Sequence, residues 1–235
     1  MNISPEHQVV WLAHERCATR ITKKIFEDYN FFRYSQKDKE EYLDFKYYEH
    51  SFSNFIPEKF QNLKKIISCR NPYDMFFSFF VNSYNSEALT KKKTNVRKNF
   101  NNWIQKSLLN HGFYVFMTPK YGSDQLFFNK WKFNNEETVD YTLRAENLYQ
   151  DLLKLPFIKS KNEIDRQKMQ ELLNDNPFLN KRYFIFNDLY DTKSAKLVYH
   201  FYKPYFYKFD YDPFSFTKDT LSNDEKIQFL HGVID

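Results

Sequence analysis

Glycine is nearly missing from this chain: 3 residues in 235, where ordinary usage would give about sixteen. Gly112, Gly122 and Gly232 stand far apart. No G-x-G-x-x-G turn, no G-x-x-x-x-G-K-[ST] loop and no G-x-S-x-G elbow can be written with them. The dinucleotide-binding Rossmann, Walker-type and α/β-hydrolase classes are therefore excluded.

Cysteine is scarce too. Cys17 and Cys69 are the two present, which excludes a disulfide scaffold and points to reduced thiols in a cytoplasmic setting. Long apolar runs are absent. The first, Val9 to Ala13, is too short for a signal peptide or a membrane span, and no basic segment precedes it, so a soluble chain without a membrane span is expected. Charge of one sign is not in large excess: 35 basic against 30 acidic residues give +5. That balance accommodates an anionic ligand but lacks the strong basic footprint of a nucleic-acid binder, so nucleic acid is disfavoured as a partner. His14 and Cys17 are three apart, but the other histidines are scattered and supply no second ligand pair, so no metal is expected. No acidic pair has the arrangement of a glycoside hydrolase.

Aromatic residues, by contrast, make up 20% of the chain and hydrophobic residues 42%, enough to form a core against chain entropy. Three apolar runs predict buried parallel strands: Val9–Ala13, Lys65–Cys69 and Val139–Leu143. Each leads through a polar turn into a helical pattern, which predicts an α/β fold with ligands at the carboxyl ends of the strands. No repeat or linker divides the chain, so a single domain over 1–235 is expected. Ser194–Phe209 has apolar residues at helical spacing, with Pro204 expected to end or kink the helix. Segments 85–110 and 155–185 are polar and predict loops and exposed helices. Within the first, Lys91, Lys92, Lys93, Arg97 and Lys98 precede Phe100 and Trp103. That pattern suits either a solvated flank or a surface for sugars or nucleic acid.

Two loops carry the candidate chemistry. After the first strand comes Arg16-Cys17-Ala18-Thr19-Arg20, then an amphipathic helix. Arg16 and Arg20 supply charge, Thr19 a hydroxyl, and the small Cys17 and Ala18 allow close backbone approach at a helix N-terminus, an anion-binding arrangement. A solvated turn with surface arginines fits equally. After the second strand comes Cys69-Arg70-Asn71-Pro72-Tyr73-Asp74. Asn71 suits the helix cap and Pro72 the first helical position. Arg70 then ends the strand, and Ser78 lies in the second helical turn; both are in range of one phosphate, or else serve as a cap and a buried small residue.

These residues, in this order, resemble the sulfotransferases that use 3′-phosphoadenosine 5′-phosphosulfate (PAPS), both heparan-type and cytosolic. Arg16–Arg20 is similar to the family's 5′-phosphosulfate loop, and Arg70 with Ser78, eight positions on, to its 3′-phosphate motif. Tyr141-Thr142-Leu143-Arg144-Ala145-Glu146-Asn147-Leu148 resembles a family strand ending Arg-x-Glu-Asn/Asp-Leu. Leu197 to Tyr211 resembles the C-terminal helix and its Phe-Gly-Tyr end. The resemblance spans roughly residues 8–211. The chain departs from it at several points: Ala18 and Asp210 replace glycine, Arg16 replaces the commoner lysine, Met75 an arginine and Ala145 an aromatic.

The resemblance implies a three-layer, P-loop-like sulfotransferase fold with a central, mainly parallel sheet flanked by helices. It implies PAPS as co-substrate and a hydroxyl-bearing acceptor, a glycan by analogy with the heparan-type members. Arg16 would steady the 5′-phosphate electrostatically, and Arg70 and Ser78 would hold the 3′-phosphate. Lys181 and Arg182 would approach the co-substrate from a C-terminal loop. For the base that deprotonates the acceptor, His50 corresponds to the histidine of cytosolic relatives, and Glu49 to the glutamate of heparan-type relatives; adjacent residues of an extended segment face opposite ways. Two other classes stay open: a non-catalytic nucleotide- or nucleic-acid-binding protein on a related fold, and a nucleotide-dependent phosphotransferase. The oligomeric state is open as well.

Overall fold

The computed structural model describes residues 2–13, 16–28, 32–33, 56, 58–83, 96–109, 132–133, 136–137, 139–159, 163–174 and 189–232. The chain forms two compact units: residues 1–70 with 125–181, and residues 71–124 with 182–235.

The first unit is α/β. Its sheet has the order β3-β1-β2-β4-β7, from β1 (Asn2–Ser4), β2 (Val9–Leu12), β3 (Phe32–Arg33), β4 (Lys64–Cys69) and β7 (Tyr141–Arg144). The three strands expected from apolar runs, β2, β4 and β7, are mutually parallel, with Trp11 opposite Ile66 and Ile67 opposite Thr142. The sequence reading missed β1, which pairs antiparallel with both β2 and β3. It reaches β2 through a turn in which the Gln8 N–H donates to the Pro5 carbonyl at 3.1 Å. A short antiparallel pair, β5 (Lys132–Phe133) and β6 (Glu136–Glu137), forms a second sheet.

Strand alternation sorts the core into two faces. Val9 and Trp11 pack with Ile21, Ile25 and Phe26 of α1 (Thr19–Glu27), and with Leu148 and Leu152 of α4 (Leu148–Leu152). Helices α5 (Pro156–Lys159) and α6 (Glu163–Asn174) complete that side through Phe157, Ile158, Met169 and Leu173. Val10 and Leu12 point the other way, onto Ile3, Ile56 and Leu63. The fully buried Trp11 indole donates through Nε1 to Ser68 Oγ at 2.8 Å, joining β2 to β4 within the core.

The second unit is helical and aromatic: α2 (Pro72–Ser83), α3 (Val96–Leu109), α7 (Thr192–Phe209) and α8 (Asn223–His231). Several of its rings meet edge to face, as their quadrupoles favour. Phe76 meets Tyr202 at 5.3 Å, and Phe100 meets Tyr190 at 4.9 Å. Phe100 and Trp103, which the sequence offered as a ligand platform or flank, are buried in this core. Pro204 does not end α7. It sits on the exposed side of the helix, where a carbonyl deprived of its N–H partner has access to water. Among the described residues no helix is long and apolar enough to cross a membrane.

Candidate functional site

Strand β2 delivers the chain into the first candidate loop. Arg16 and Ala18 both adopt left-handed backbone, φ 60 and 59, a region costly for residues with a Cβ. Ala18 is the N-cap of α1. Alanine supplies no side-chain cap there, and no acid occupies the first turn. The first turn therefore places no negative charge of its own at the positive dipole end, where an anion is favoured. Thr22 steadies the turn by donating from both its N–H and its hydroxyl to the Ala18 carbonyl, at 3.1 Å each. Cys17 is buried under the loop, Arg16 and Thr19 are half-buried, and Arg20 is exposed.

Strand β4 ends beside this loop. Arg70 is buried, and its Nη1 donates to the Arg16 carbonyl at 2.9 Å. The end of β4 is thus joined to the first candidate loop by a direct hydrogen bond, with the Arg70 guanidinium fixed against the left-handed turn. A side chain bonded to a carbonyl in this way is held in one orientation, with its remaining N–H groups spread in a fixed fork.

The third parallel strand ends in a network that the sequence reading did not find. Asp151 is buried on α4; its Oδ2 accepts the Arg144 N–H at 2.9 Å, and its Oδ1 accepts Lys154 Nζ at 2.6 Å. The Arg144 guanidinium lies 4.0 Å from the same carboxylate. Arg144 lies opposite Cys69 in the sheet, so this acid pins the end of β7 at the level where β4 ends.

In the second unit, Asn71 caps α2 as expected. Its Oδ1 accepts the Tyr73 N–H at 3.0 Å, Pro72 opens the helix, and Asp74 is buried in the first turn. Ser78 is half-buried in the second turn. Asp210 closes α7 with left-handed backbone, φ 56 and ψ 46. His50, Glu49, Lys181 and Arg182 lie outside the described residues.

The second unit also contains a cleft of about 770 Å³, bordered by the start of α7, Arg97 of α3, and the chain from Phe216 into α8. Comparison of the chain with protein-family models, curated proteins and solved structures gives no match.

Proposed function

We propose that this protein is a sulfotransferase, moving a sulfuryl group from PAPS to an acceptor hydroxyl, on a carbohydrate by the resemblance of its loops. One observation carries the reading. Of the four non-glycine residues with left-handed backbone among those described, Ala18 and Asp210 are two. They are also the two positions at which the sulfotransferase pattern has glycine. Glycine is the residue that takes this conformation without steric cost. The backbone shape therefore agrees with the pattern where the side chains depart from it.

The loop has the groups that a phosphosulfate needs. The positive end of α1, Thr19, Arg16 and Arg20 would meet the 5′ side, and Arg70 would meet the 3′-phosphate. PAPS would bring the activated sulfuryl group; the chain's own task is to hold the phosphates and counter the charge that develops on them. Arginine at position 16 would act electrostatically, since a guanidinium does not release its proton. His50 or Glu49 would take the acceptor proton.

The test is thermal denaturation with 3′-phosphoadenosine 5′-phosphate, ATP, ADP or AMP. A ligand that binds the native state raises the midpoint with its excess over Kd. A rise confined to the 3′-phosphorylated nucleotide is expected. A rise with ATP alone would replace this reading by a phosphotransferase.

A further inference from the structure

We propose that the cleft of the second unit binds a small zwitterion: a molecule of the amino-acid class, with an ammonium at one end, a carboxylate at the other and an apolar stretch between. The cleft volume of about 770 Å³ falls in the range of small-ligand sites. Three cations, Arg97, Lys196 and Lys218, share its lining with three acids, Asp191, Asp219 and Glu225. The lining is therefore balanced in charge. An ion of one sign is attracted by half of these groups and repelled by the other half. A ligand that carries both signs can turn each end toward its opposite.

These opposite charges are held apart. Among the described residues, no ion pair joins Arg97 or Lys196 to Asp191, Asp219 or Glu225. Other contacts place them. Arg97 Nη2 donates to the Tyr190 carbonyl at 3.2 Å. Asp191 accepts the Ser194 N–H at 2.7 Å through Oδ1, and Glu225 accepts the N–H and the hydroxyl of Ser222 at 2.8 Å each through Oε2. Each of these two acids is thus anchored in a helix cap by one oxygen. The Asp219 N–H donates to Thr217 Oγ1 at 3.0 Å, which fixes the loop that carries its carboxylate. Lys196 runs past Gly232, where a Cβ would stand 2.8 Å from its Nζ; glycine at that position leaves the ammonium its room.

The spacing and the apolar lining set the kind of zwitterion. Asp191 and Lys196 are five positions apart on α7, about 7.5 Å along the axis at 1.5 Å per residue. The two ends of an extended six-carbon amino acid are separated by a similar distance. Phe216 and Phe229, stacked at 5.0 Å, and Leu221 give the apolar part of the lining that its methylenes would meet. A neutral polyol would use the hydroxyls of Thr192 and Thr217 and none of the charges.

Chemical-shift titration of the isotope-labelled full chain tests the proposal, with four probes of one length: ε-aminocaproate, caproate, hexylamine and hexanediol. The zwitterion ε-aminocaproate is expected to bind about tenfold more tightly than each of the others, because it alone makes charge-assisted contacts at both ends. The shifts should fall on residues that line the cleft. Lys196→Gln should weaken ε-aminocaproate and caproate severalfold and leave hexylamine unchanged. Asp219→Asn should weaken ε-aminocaproate and hexylamine and leave caproate unchanged. Lys203→Gln, exposed on α7 outside the cleft lining, should change none of them. The comparison of probes on the parent chain needs no variant, so a folding defect in one does not rescue the proposal. A singly charged probe or the diol binding as tightly as the zwitterion, no saturable shift with the zwitterion, or variants that do not distinguish its two ends would each overturn it. No nucleotide enters the titration, so the outcome is independent of the transfer reaction.

Discussion

The Arg70 guanidinium donates to the main-chain carbonyl of Arg16 across 54 positions of sequence. It couples the end of one parallel strand to a turn held in left-handed backbone after the next. The bond uses one N–H of a guanidinium that carries five.

Arg70→Ala is therefore expected to have two effects. The lost charge-assisted bond should cost about 1.5–3 kcal/mol of stability, read from denaturant unfolding. The rise in melting midpoint with 3′-phosphoadenosine 5′-phosphate should disappear. Arg70→Lys, which keeps the charge but not the fork, should recover less than half of the nucleotide response. Full recovery would mean that a point charge suffices.

Ala18 separates strain from function. Ala18→Gly relieves left-handed backbone and should raise stability by about 0.5–1 kcal/mol, the relief being partly offset by greater freedom of the unfolded chain. Ala18→Val, β-branched at φ 59, should lower it by more than 1 kcal/mol. Chemical denaturation of the two variants beside the parent checks the order; a destabilised Ala18→Gly would contradict it.

The tyrosine cluster of the second unit sets an alkaline limit. Burial pushes the Tyr190 phenol well above its ordinary 10.0, with Tyr73 and Asp74 adding to the effect. Burial does the same for Tyr73, aided by Asp212 and Tyr199. Tyr190 Oη donates to the Tyr73 carbonyl at 2.9 Å, and Tyr73 Oη to the Pro213 carbonyl at 2.7 Å. Above pH 10 the unfolded chain loses these protons while the folded chain keeps them, so stability must fall as pH rises past 10. Denaturant unfolding read by the helix signal should show stability falling above pH 10, and Tyr190→Phe should reduce the steepness of the fall. An unchanged steepness in Tyr190→Phe would contradict this limit.

The parallel strands were legible because their apolar runs are bounded by polar turns, and Asn71-Pro72 marked the start of α2 because cap chemistry is local. Strand β1 escaped notice because Asn2-Ile3-Ser4 has one apolar residue, and its burial comes from neighbours on both sides. Helix α3 looked like a polar flank because Lys and Asn dilute the run. The buried residues Phe100, Trp103, Ile104, Ser107 and Leu108 nevertheless recur at helical intervals. Pro204 does not end α7, one of the two effects expected of it: a helix can carry a proline where the unpaired carbonyl faces water. Of the candidate site, the identities of Arg16, Ala18 and Arg70 could be read, but the bond between two of them could not. Asp151 gave no signal at all. A carboxylate that accepts the N–H of a residue seven positions back becomes visible only once β7 and α4 are folded together.

Trp11, buried and hydrogen-bonded on the strand that feeds the Arg16 turn, gives the protein an intrinsic optical reporter at that end of the sheet. Trp103 gives the helical unit one of its own, with the Phe80 ring centroid 5.7 Å away. With Trp131 and either of these replaced by phenylalanine, fluorescence follows one unit at a time without any attached dye.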